Sequence, residues 1–175
     1  QGWYISLQNR SLFSEEYPDA DRALFLLKPM LENPAVKKIG QNIKYDYIVL
    51  HCAGINMRGI YFDTMIASYL LEPGERRHNL DELAEHYLNY KTITYKELTG
   101  TGKNSIPIWE VPIDKLSEYA IEDADIALRL YNVLKDELVK YDLVDLFNNV
   151  EMPLLEVLSA MEINGVHIDS DYFRE

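Results

Sequence analysis

The sequence lacks several features that would place it in common protein classes. Among 175 residues there is one cysteine, Cys52, so no internal disulfide can form, which fits a reducing compartment. The longest apolar runs, such as residues 23–27, are far too short to cross a bilayer. The first residues show no basic segment followed by an apolar one, and thus no signal peptide. These absences favour a globular cytoplasmic protein with no membrane partner.

Basic residues are also scarce. Seventeen Lys and Arg stand against 29 Asp and Glu, which gives a net charge of −12 at pH 7. This balance argues against a broad cationic surface for nucleic acid. It does not exclude a nuclease, because divalent ions can supply positive charge locally and one strand end needs only a small contact area.

The sequence contains no pattern typical of a zinc site or a cysteine nucleophile. Its four histidines have no spacing that suits shared metal ligation, and Cys52 has no partner residue; the histidines are His51, His78, His86 and His167.

Strand-like and helix-like segments alternate along the chain, which predicts the α/β class. Strands are predicted at 3–7, 36–40 and 57–62, and helices at 21–30, 44–53, 65–71, 80–88, 112–138 and 144–164. Because there are few strands for so many helices, we expect further strands before residue 1.

Tyr119 and Asp123 are the first candidates for chemistry. They stand four residues apart in the strongest helical pattern and therefore share one face. A carboxylate there can bind a divalent cation, and a phenol one turn away can hold a water or a phosphate oxygen. The alternative is an ordinary core contact beside solvent. Glu122 and Asp125 are expected to be outward-facing charges.

Asp46 is the second candidate metal ligand. It lies in the first turn of a predicted helix, where the helix dipole is expected to lower its pKa, although an aspartate there is often only a cap. Two metal ions about 3.5–4 Å apart can stabilise both oxygens of a phosphoryl displacement. Such a pair needs about four carboxylates, and these residues supply two.

Two motifs resemble those of a known family. The segment Ile39–Asp46 resembles the second exonuclease motif of the bacterial family A DNA polymerases, the DNA polymerase I family, and Tyr119–Asp125 looks like the third motif in its tyrosine form. The similarity runs in unchanged order from about residue 20 to the end of the chain. It also includes residues 62–65, 78–84, 91–95, 151–154 and 164–169.

This resemblance implies a 3′-5′ proofreading exonuclease domain of ribonuclease-H-like fold in residues 1–150, and the start of a polymerase domain in 151–175. The first motif of the family, Asp-x-Glu on the opening strand, has no counterpart before Gln41. We therefore expect a fragment without the first strands, which by itself binds metal weakly and cuts poorly.

The resemblance also implies roles for individual residues. Asp123 would bind the first Mg²⁺ or Mn²⁺ ion, Asp46 the second, and Tyr119 would orient the attacking water. Asp63 stands directly before the helix predicted at 65–71 and is expected to cap it, and the resemblance implies that it does not bind metal. The residues implied to contact DNA or support the site are Gln41, Asn42, Tyr45, Arg77 and Tyr95.

The expected function is removal of mispaired nucleotides from the single-stranded 3′ end of DNA, during replication and repair at the bacterial nucleoid. One alternative is a non-catalytic exonuclease-like scaffold that braces a polymerase; the presence of Asp46, Tyr119 and Asp123 argues against it. The other is an RNA-trimming exonuclease of the ribonuclease D type, which the polymerase-like continuation after Glu151 disfavours.

Overall fold

The computed structural model of the protein describes residues 1–7, 20–75, 77–102, 105–170 and 172–174. Within them the elements are α1 (Ala20–Leu31), β1 (Lys38–Gly40), α2 (Ile43–Cys52), β2 (Ile60–Asp63), α3 (Thr64–Leu71), α4 (Leu80–Leu88), α5 (Tyr95–Thr99), α6 (Ile113–Lys140), α7 (Val144–Leu146) and α8 (Met152–Asn164). Short 3₁₀ turns lie at Ile108–Glu110 and Tyr172–Arg174, and a π-helical turn lies at Phe147–Glu151. This mixed architecture confirms the predicted α/β class.

The sheet of the described residues consists of β1 and β2, which run parallel. Ile39 lies opposite Phe62 and Gly40 opposite Asp63, after an irregularity at Lys38. The carboxyl ends of parallel strands lie at the same edge of a sheet. The turns that lead into α2 and α3 therefore start side by side, and this edge builds part of the candidate site.

Helix α6 is the centre of the main core. Its buried side chains recur at spacings of three and four residues, as expected for a helix face that packs inward; they are Ile126, Ala127, Leu130, Leu134 and Leu138. Helices α3 and α4 pack against α6, and β1 also contacts it. A smaller core of Ile43, Met57 and Leu155 joins α2 to α8. The domain division at residue 150 stays a prediction.

The strand predicted at residues 3–7 is wrong. Residues 1–7 form no strand, and the side chain of Trp3 is 76% exposed. The backbone at Gly2 instead lies against α6, where a Cβ atom would come within 2.6 Å of the Ile121 side chain. Strand composition produces a strand only where a neighbouring strand offers hydrogen bonds, and here none is paired with this segment.

The helix predictions agree closely with the structure. Helix α1 retains Pro29 in its last turn, and α6 begins directly after Pro112. No helix in the described part of the chain combines the length and the apolar character needed to cross a membrane.

Gly59 shapes the turn that leads into β2. Its φ is +73°, and a Cβ atom there would lie 2.6 Å from the carbonyl oxygen of Val36 and 2.8 Å from that of Pro34. The Gly59 carbonyl accepts a hydrogen bond from the Lys38 N–H at 2.8 Å, which starts the pairing of β1 with β2. Both strands therefore depend on a glycine at this position.

We expect Gly59→Ala to destabilise the protein by roughly 1–3 kcal/mol more than Gly54→Ala, because the added methyl group collides with two backbone oxygens. Gly54 is the matched control, since its φ is +77° and a Cβ atom there would have no neighbour within 4 Å. Urea denaturation of the two variants measures the difference. Equal loss of stability in both would show that the close approach at Gly59 is unimportant.

Candidate active site

Asp63 holds the amino-terminal ends of two helices together. Its carboxylate is buried, at 1% exposure, and accepts hydrogen bonds from the N–H groups of Met65 and Ile66 at 2.8 and 3.3 Å, at the start of α3. It also accepts from Asn42 at 3.2 Å and Ile43 at 2.8 Å, at the start of α2. Burial raises the pKa of Asp63, and these four N–H donors oppose that shift. The predicted cap on α3 is confirmed, and the same carboxylate also serves α2.

Helix α2 consequently needs no cap from its own side chains. Asn42, at its N-cap position, has the left-handed conformation (φ 53°, ψ 47°) and makes no side-chain cap hydrogen bond. The Asp63 carboxylate supplies the missing acceptor from β2. This connection sets the direction in which α2 leaves the sheet and thereby places Asp46 in its first turn.

Asp46 stands at the protein surface in that first turn. Partial desolvation raises its pKa, the charge of Asp63 raises it further, and a hydrogen bond from its own backbone N–H opposes the change. The expectation that the helix dipole lowers the pKa of Asp46 is therefore wrong. Loss of water and the neighbouring carboxylate outweigh the helix terminus.

Tyr119 and Asp123 form a half-buried, hydrogen-bonded pair on α6. Burial, together with the charge of Asp123, raises the pKa of Tyr119 to about 12. The phenol therefore keeps its proton, and its hydroxyl donates a hydrogen bond to the carboxylate. Burial also raises the pKa of Asp123 to about 6; the charges of Asp81 and Glu122 contribute, while the Tyr119 hydrogen bond opposes them. This pair combines a carboxylate that a cation would stabilise with a fixed hydroxyl donor.

Asp81 is a site residue that the sequence patterns did not reveal. It lies in the first turn of α4, accepts a 2.6 Å hydrogen bond from the Thr92 hydroxyl, and its charge raises the pKa of both Tyr119 and Asp123. An aspartate in a first helical turn is common, so periodicity offered no signal. Its position inside the family-like segment 78–84 was the one available clue.

Glu122 holds the chain segment that precedes α5. Its carboxylate accepts from the Tyr90 hydroxyl at 2.8 Å and from the Ile93 N–H at 2.7 Å. The expectation that Glu122 faces outward is wrong, because the segment 90–93 packs over this part of α6 and offers it two donors. Asp125 is exposed as expected and lies 3.9 Å from Arg129.

The segment held by Glu122 leads directly to Tyr95, the first residue of α5. Tyr95 is 52% exposed and lies close enough to Tyr119 to raise the pKa of that phenol. The structure thus brings Tyr95 to the Tyr119–Asp123 pair. Its contact with DNA stays a prediction.

The other residues implied to contact DNA have different surroundings. The Gln41 side-chain amide donates to the His78 carbonyl oxygen at 2.7 Å, and its oxygen accepts from the Thr64 hydroxyl, so both of its ends bind protein. Tyr45 is 68% exposed on α2. Arg77 is exposed and pairs with Glu82 at 2.8 Å, and this ion pair raises its pKa.

The predicted residues therefore lie in two groups. Asp81 and Tyr95 lie near the Tyr119–Asp123 pair, whereas Asp46 lies near Asp63 at the start of α2. The neighbouring carboxylates that raise the pKa of Asp123 are Asp81 and Glu122, and the neighbouring carboxylate that raises the pKa of Asp46 is Asp63. In the parts of the chain that the structure describes, no three His, Cys, Asp or Glu side chains are arranged to hold a metal ion. Shared ligation by Asp46 and Asp123 stays a prediction.

Comparisons with known proteins agree on one family. The sequence model for the 3′-5′ exonuclease of DNA polymerase A matches residues 9–139. DNA polymerase I of Rhizobium leguminosarum is 43% identical over 147 residues, which cover 84% of this chain and 14% of that protein. DNA polymerase I of Pseudomonas aeruginosa is 37% identical over 171 residues, which cover 96% of this chain and 19% of that protein.

A solved structure shows the same fold. It is described as the POL domain of Pol1 from M. smegmatis in complex with DNA primer-template and dNTP; the TM-score is 0.66 at 26% identity, over 90% of this chain and 24% of that one. The chain thus spans 14% and 19% of the length of the two curated relatives.

We expect Asp123→Asn to stabilise the protein at pH 7 by roughly 1 kcal/mol, since each pKa unit is worth about 1.4 kcal/mol and solvent screens a half-buried charge. The folded protein holds the Asp123 proton up to about pH 6, whereas the unfolded chain releases it near its ordinary pKa of 3.8. The stability of the wild type therefore falls as the pH rises through that window, and the advantage of the variant should vanish below pH 4.

Melting temperatures of both proteins between pH 3.5 and 7.5 measure this effect. Asp125→Asn is the control. It makes the same change in charge on an exposed carboxylate two residues further along α6. A gap between wild type and Asp123→Asn that is constant with pH would contradict the burial of an ionisable carboxylate at this position.

We expect Glu122→Ala to speed hydrogen exchange at the Ile93 N–H by about tenfold or more, because a hydrogen bond to a charged acceptor contributes about 1.5–3 kcal/mol. Amide exchange followed by NMR measures this rate directly. Glu118→Ala removes an exposed carboxylate one turn earlier on α6 and should leave the rate unchanged. Unaltered exchange in Glu122→Ala would show that the segment 90–93 is held by other contacts.

Proposed function

The chain belongs to the 3′-5′ exonuclease family of DNA polymerase A, and from this we propose that it removes nucleotides from the single-stranded 3′ end of DNA as a proofreading module. The observation that carries the proposal is the hydrogen-bonded Tyr119–Asp123 pair, with Asp81 and Tyr95 beside it. Replication and repair at the nucleoid of a bacterium are the setting in which such an activity would be used.

The domain organisation is part of this proposal. Residues 1–150 contribute the exonuclease domain, and residues 151–175 begin the polymerase domain of the same polypeptide. The relatives that match are DNA polymerases I several times longer than this chain, which supports that arrangement. Their names give no support to an RNA-trimming activity.

Enzymes of this family depend on divalent metal ions. The donor chemistry of the pair fits such an ion, because Asp123 is a carboxylate oxygen donor whose ionised form is destabilised by burial and by two neighbouring carboxylates. In the proposed site Asp123 and Asp46 hold Mg²⁺ or Mn²⁺, two ions in all. When bound, the ions would stabilise charge on the attacking and leaving oxygens.

The protein's own groups supply position and proton donors. Tyr119 keeps its proton at neutral pH, and its hydroxyl, fixed by Asp123, can orient either the attacking water or a phosphate oxygen. Tyr95 offers an exposed ring for the terminal base, and stacking of this kind is worth about 1–3 kcal/mol per base. Water attacks phosphorus, the bond to the 3′ oxygen of the preceding nucleotide breaks, and a nucleoside 5′-monophosphate leaves.

We expect Asp123→Ala to lower 3′-directed degradation of a 5′-labelled oligonucleotide by several orders of magnitude, because it removes a proposed metal ligand. Tyr119→Phe should lower the rate less, since it removes one hydroxyl and keeps the carboxylate. The assay uses the longest product of its gene that contains these residues, with Mn²⁺ and with Mg²⁺.

Asp145→Ala is the control, because this exposed acid on α7 lies outside the site. Full activity of Asp123→Ala would refute the proposed site. Degradation of matched RNA in preference to DNA would refute the proposed substrate.

A further inference from the structure

Two lysines and two tyrosines meet on a surface that the proposed active site does not use. Lys37 precedes β1, Tyr61 lies on β2, and Tyr131 and Lys135 lie one turn apart on α6. We call these four residues the lysine–tyrosine cluster. Three segments distant in sequence converge to form it, so it is a product of the fold.

The four side chains are neighbours in succession, from Lys37 through the two rings to Lys135. The Lys37 Nζ atom lies 3.6 Å from the centroid of the Tyr61 ring, and the Lys135 Nζ atom 5.3 Å from that of Tyr131. The two rings meet edge to face, with centroids 6.0 Å apart. Hydrogen bonds from Tyr131 and Lys37 lower the pKa of Tyr61, which means that the Tyr61 oxygen accepts and its own proton is available to donate.

The two ammonium groups lack carboxylate partners within the described residues. Lys37 and Lys135 make no ion pair there, whereas other lysines, such as Lys28, Lys44 and Lys140, do. Burial and the hydrogen bond to Tyr61 raise the pKa of Tyr131, and the nearby charge of Asp136 adds to this shift and weakens the local positive charge in part. In a protein of net charge −12, two such cations beside two hydroxyl groups form an uncommon local site for an anion.

The surface next to the cluster is apolar. A cavity of about 170 Å³ opens beside Tyr61, Tyr131 and Lys135, and its remaining wall is mainly hydrophobic. That wall includes Phe62, Leu138, Val139, Val144 and Phe147. Cations that alternate with exposed aromatic rings are typical of surfaces that follow a single nucleic-acid strand.

Helix α6 connects the cluster to the proposed active site. Tyr131 follows Asp123 by eight residues, which is about 12 Å along the helix and about 80° around it, and Lys135 is about 18 Å along it. At the roughly 3.4 Å spacing of a stacked strand these distances correspond to about four or five nucleotides. A strand bound at Asp123 could therefore reach the cluster.

We propose that the lysine–tyrosine cluster binds a phosphate group of single-stranded DNA about four or five nucleotides from the 3′ end. The two ammonium groups neutralise the phosphate, and the Tyr61 hydroxyl donates to it. The choice of a DNA strand rests on the proposed function, whereas the phosphate chemistry rests on the cluster itself.

Fluorescence anisotropy of labelled oligothymidylates in EDTA, at several salt concentrations, tests this inference. Lys37→Ala and Lys135→Ala should each weaken binding of a dodecamer by about fivefold at 0.1 M salt, and reduce the slope of log K against log salt by about 0.7. Binding of a trinucleotide, which cannot span both sites, should be unchanged. Lys135→Arg should bind as the wild type does.

Lys140→Ala is the matched control. Lys140 also lies on α6 with its Nζ atom over a tyrosine ring, 4.9 Å from the Tyr141 centroid, but it pairs with Glu137 at 2.8 Å. Equal weakening by Lys140→Ala would mean that only net charge matters and would overturn the proposal. So would unchanged dodecamer affinity in both cluster variants, or a wild type that does not bind the dodecamer.

Two further arms identify the source of the phosphate and separate the two proposals. Inorganic phosphate and a nucleoside monophosphate are added as competitors of the labelled dodecamer. If either competes as effectively per phosphate group as unlabelled dodecamer does, the cluster binds free phosphate and the proposed strand contact is overturned. Cleavage assays with Asp123→Ala test the active site independently. If the wild type cleaves normally but binds the dodecamer no more tightly than the trinucleotide, the cluster alone is refuted. If Asp123→Ala cleaves as fast as the wild type while dodecamer binding still depends on Lys37 and Lys135, the active site alone is refuted.

Discussion

The buried carboxylate of Asp63 is the interaction on which the arrangement of the site depends. The first N–H groups of any helix lack partners within that helix, and a buried helix end must find them elsewhere. Because β1 and β2 are parallel and end side by side, one carboxylate accepts from the first residues of both α2 and α3. The same contact directs α2 and thus Asp46. Without Asp63, the buried N–H groups at Ile43 and Met65 would lose their acceptor, and the two helix ends would no longer be joined.

The proposed site on α6 places acids where their charges oppose stability. Asp123 is held half-buried beside two other acids, so its ionised form is disfavoured and its pKa is raised to about 6. A purely structural helix gains nothing from such an arrangement, whereas a cation-binding site requires acids that are close together. The carboxylate of the adjacent residue, Glu122, accepts a hydrogen bond from the Ile93 N–H and so holds the segment that leads to Tyr95. One turn of α6 therefore carries both an acid of the proposed site and the residue that holds the neighbouring segment in place.

Several elements were predictable because their signals are local. The spacing of apolar residues identified α6, the proline before it marked its start, and Asp63 was recognised as a cap from its position before Thr64. The α/β class followed from alternating segments, and resemblance in two motifs named the family that the comparisons then showed. Errors arose where the outcome depends on distant partners. Trp3–Leu7 has strand composition without a paired strand, Glu122 finds donors from residues 90 and 93, and the pKa of Asp46 follows its desolvation.

The sequence by itself determined where most helices lie, the mixed fold class, the family and the identity of Tyr119 and Asp123 as candidates, because each rests on neighbours within a turn or on a short motif. Only the tertiary structure decided that Asp81 joins that pair, that one carboxylate serves two helices, and that Lys37 and Lys135 converge on two tyrosine rings. The physical reason is that these contacts join residues far apart along the chain. Their energies depend on burial and on nearby charges, which exist only once the helices and strands have packed.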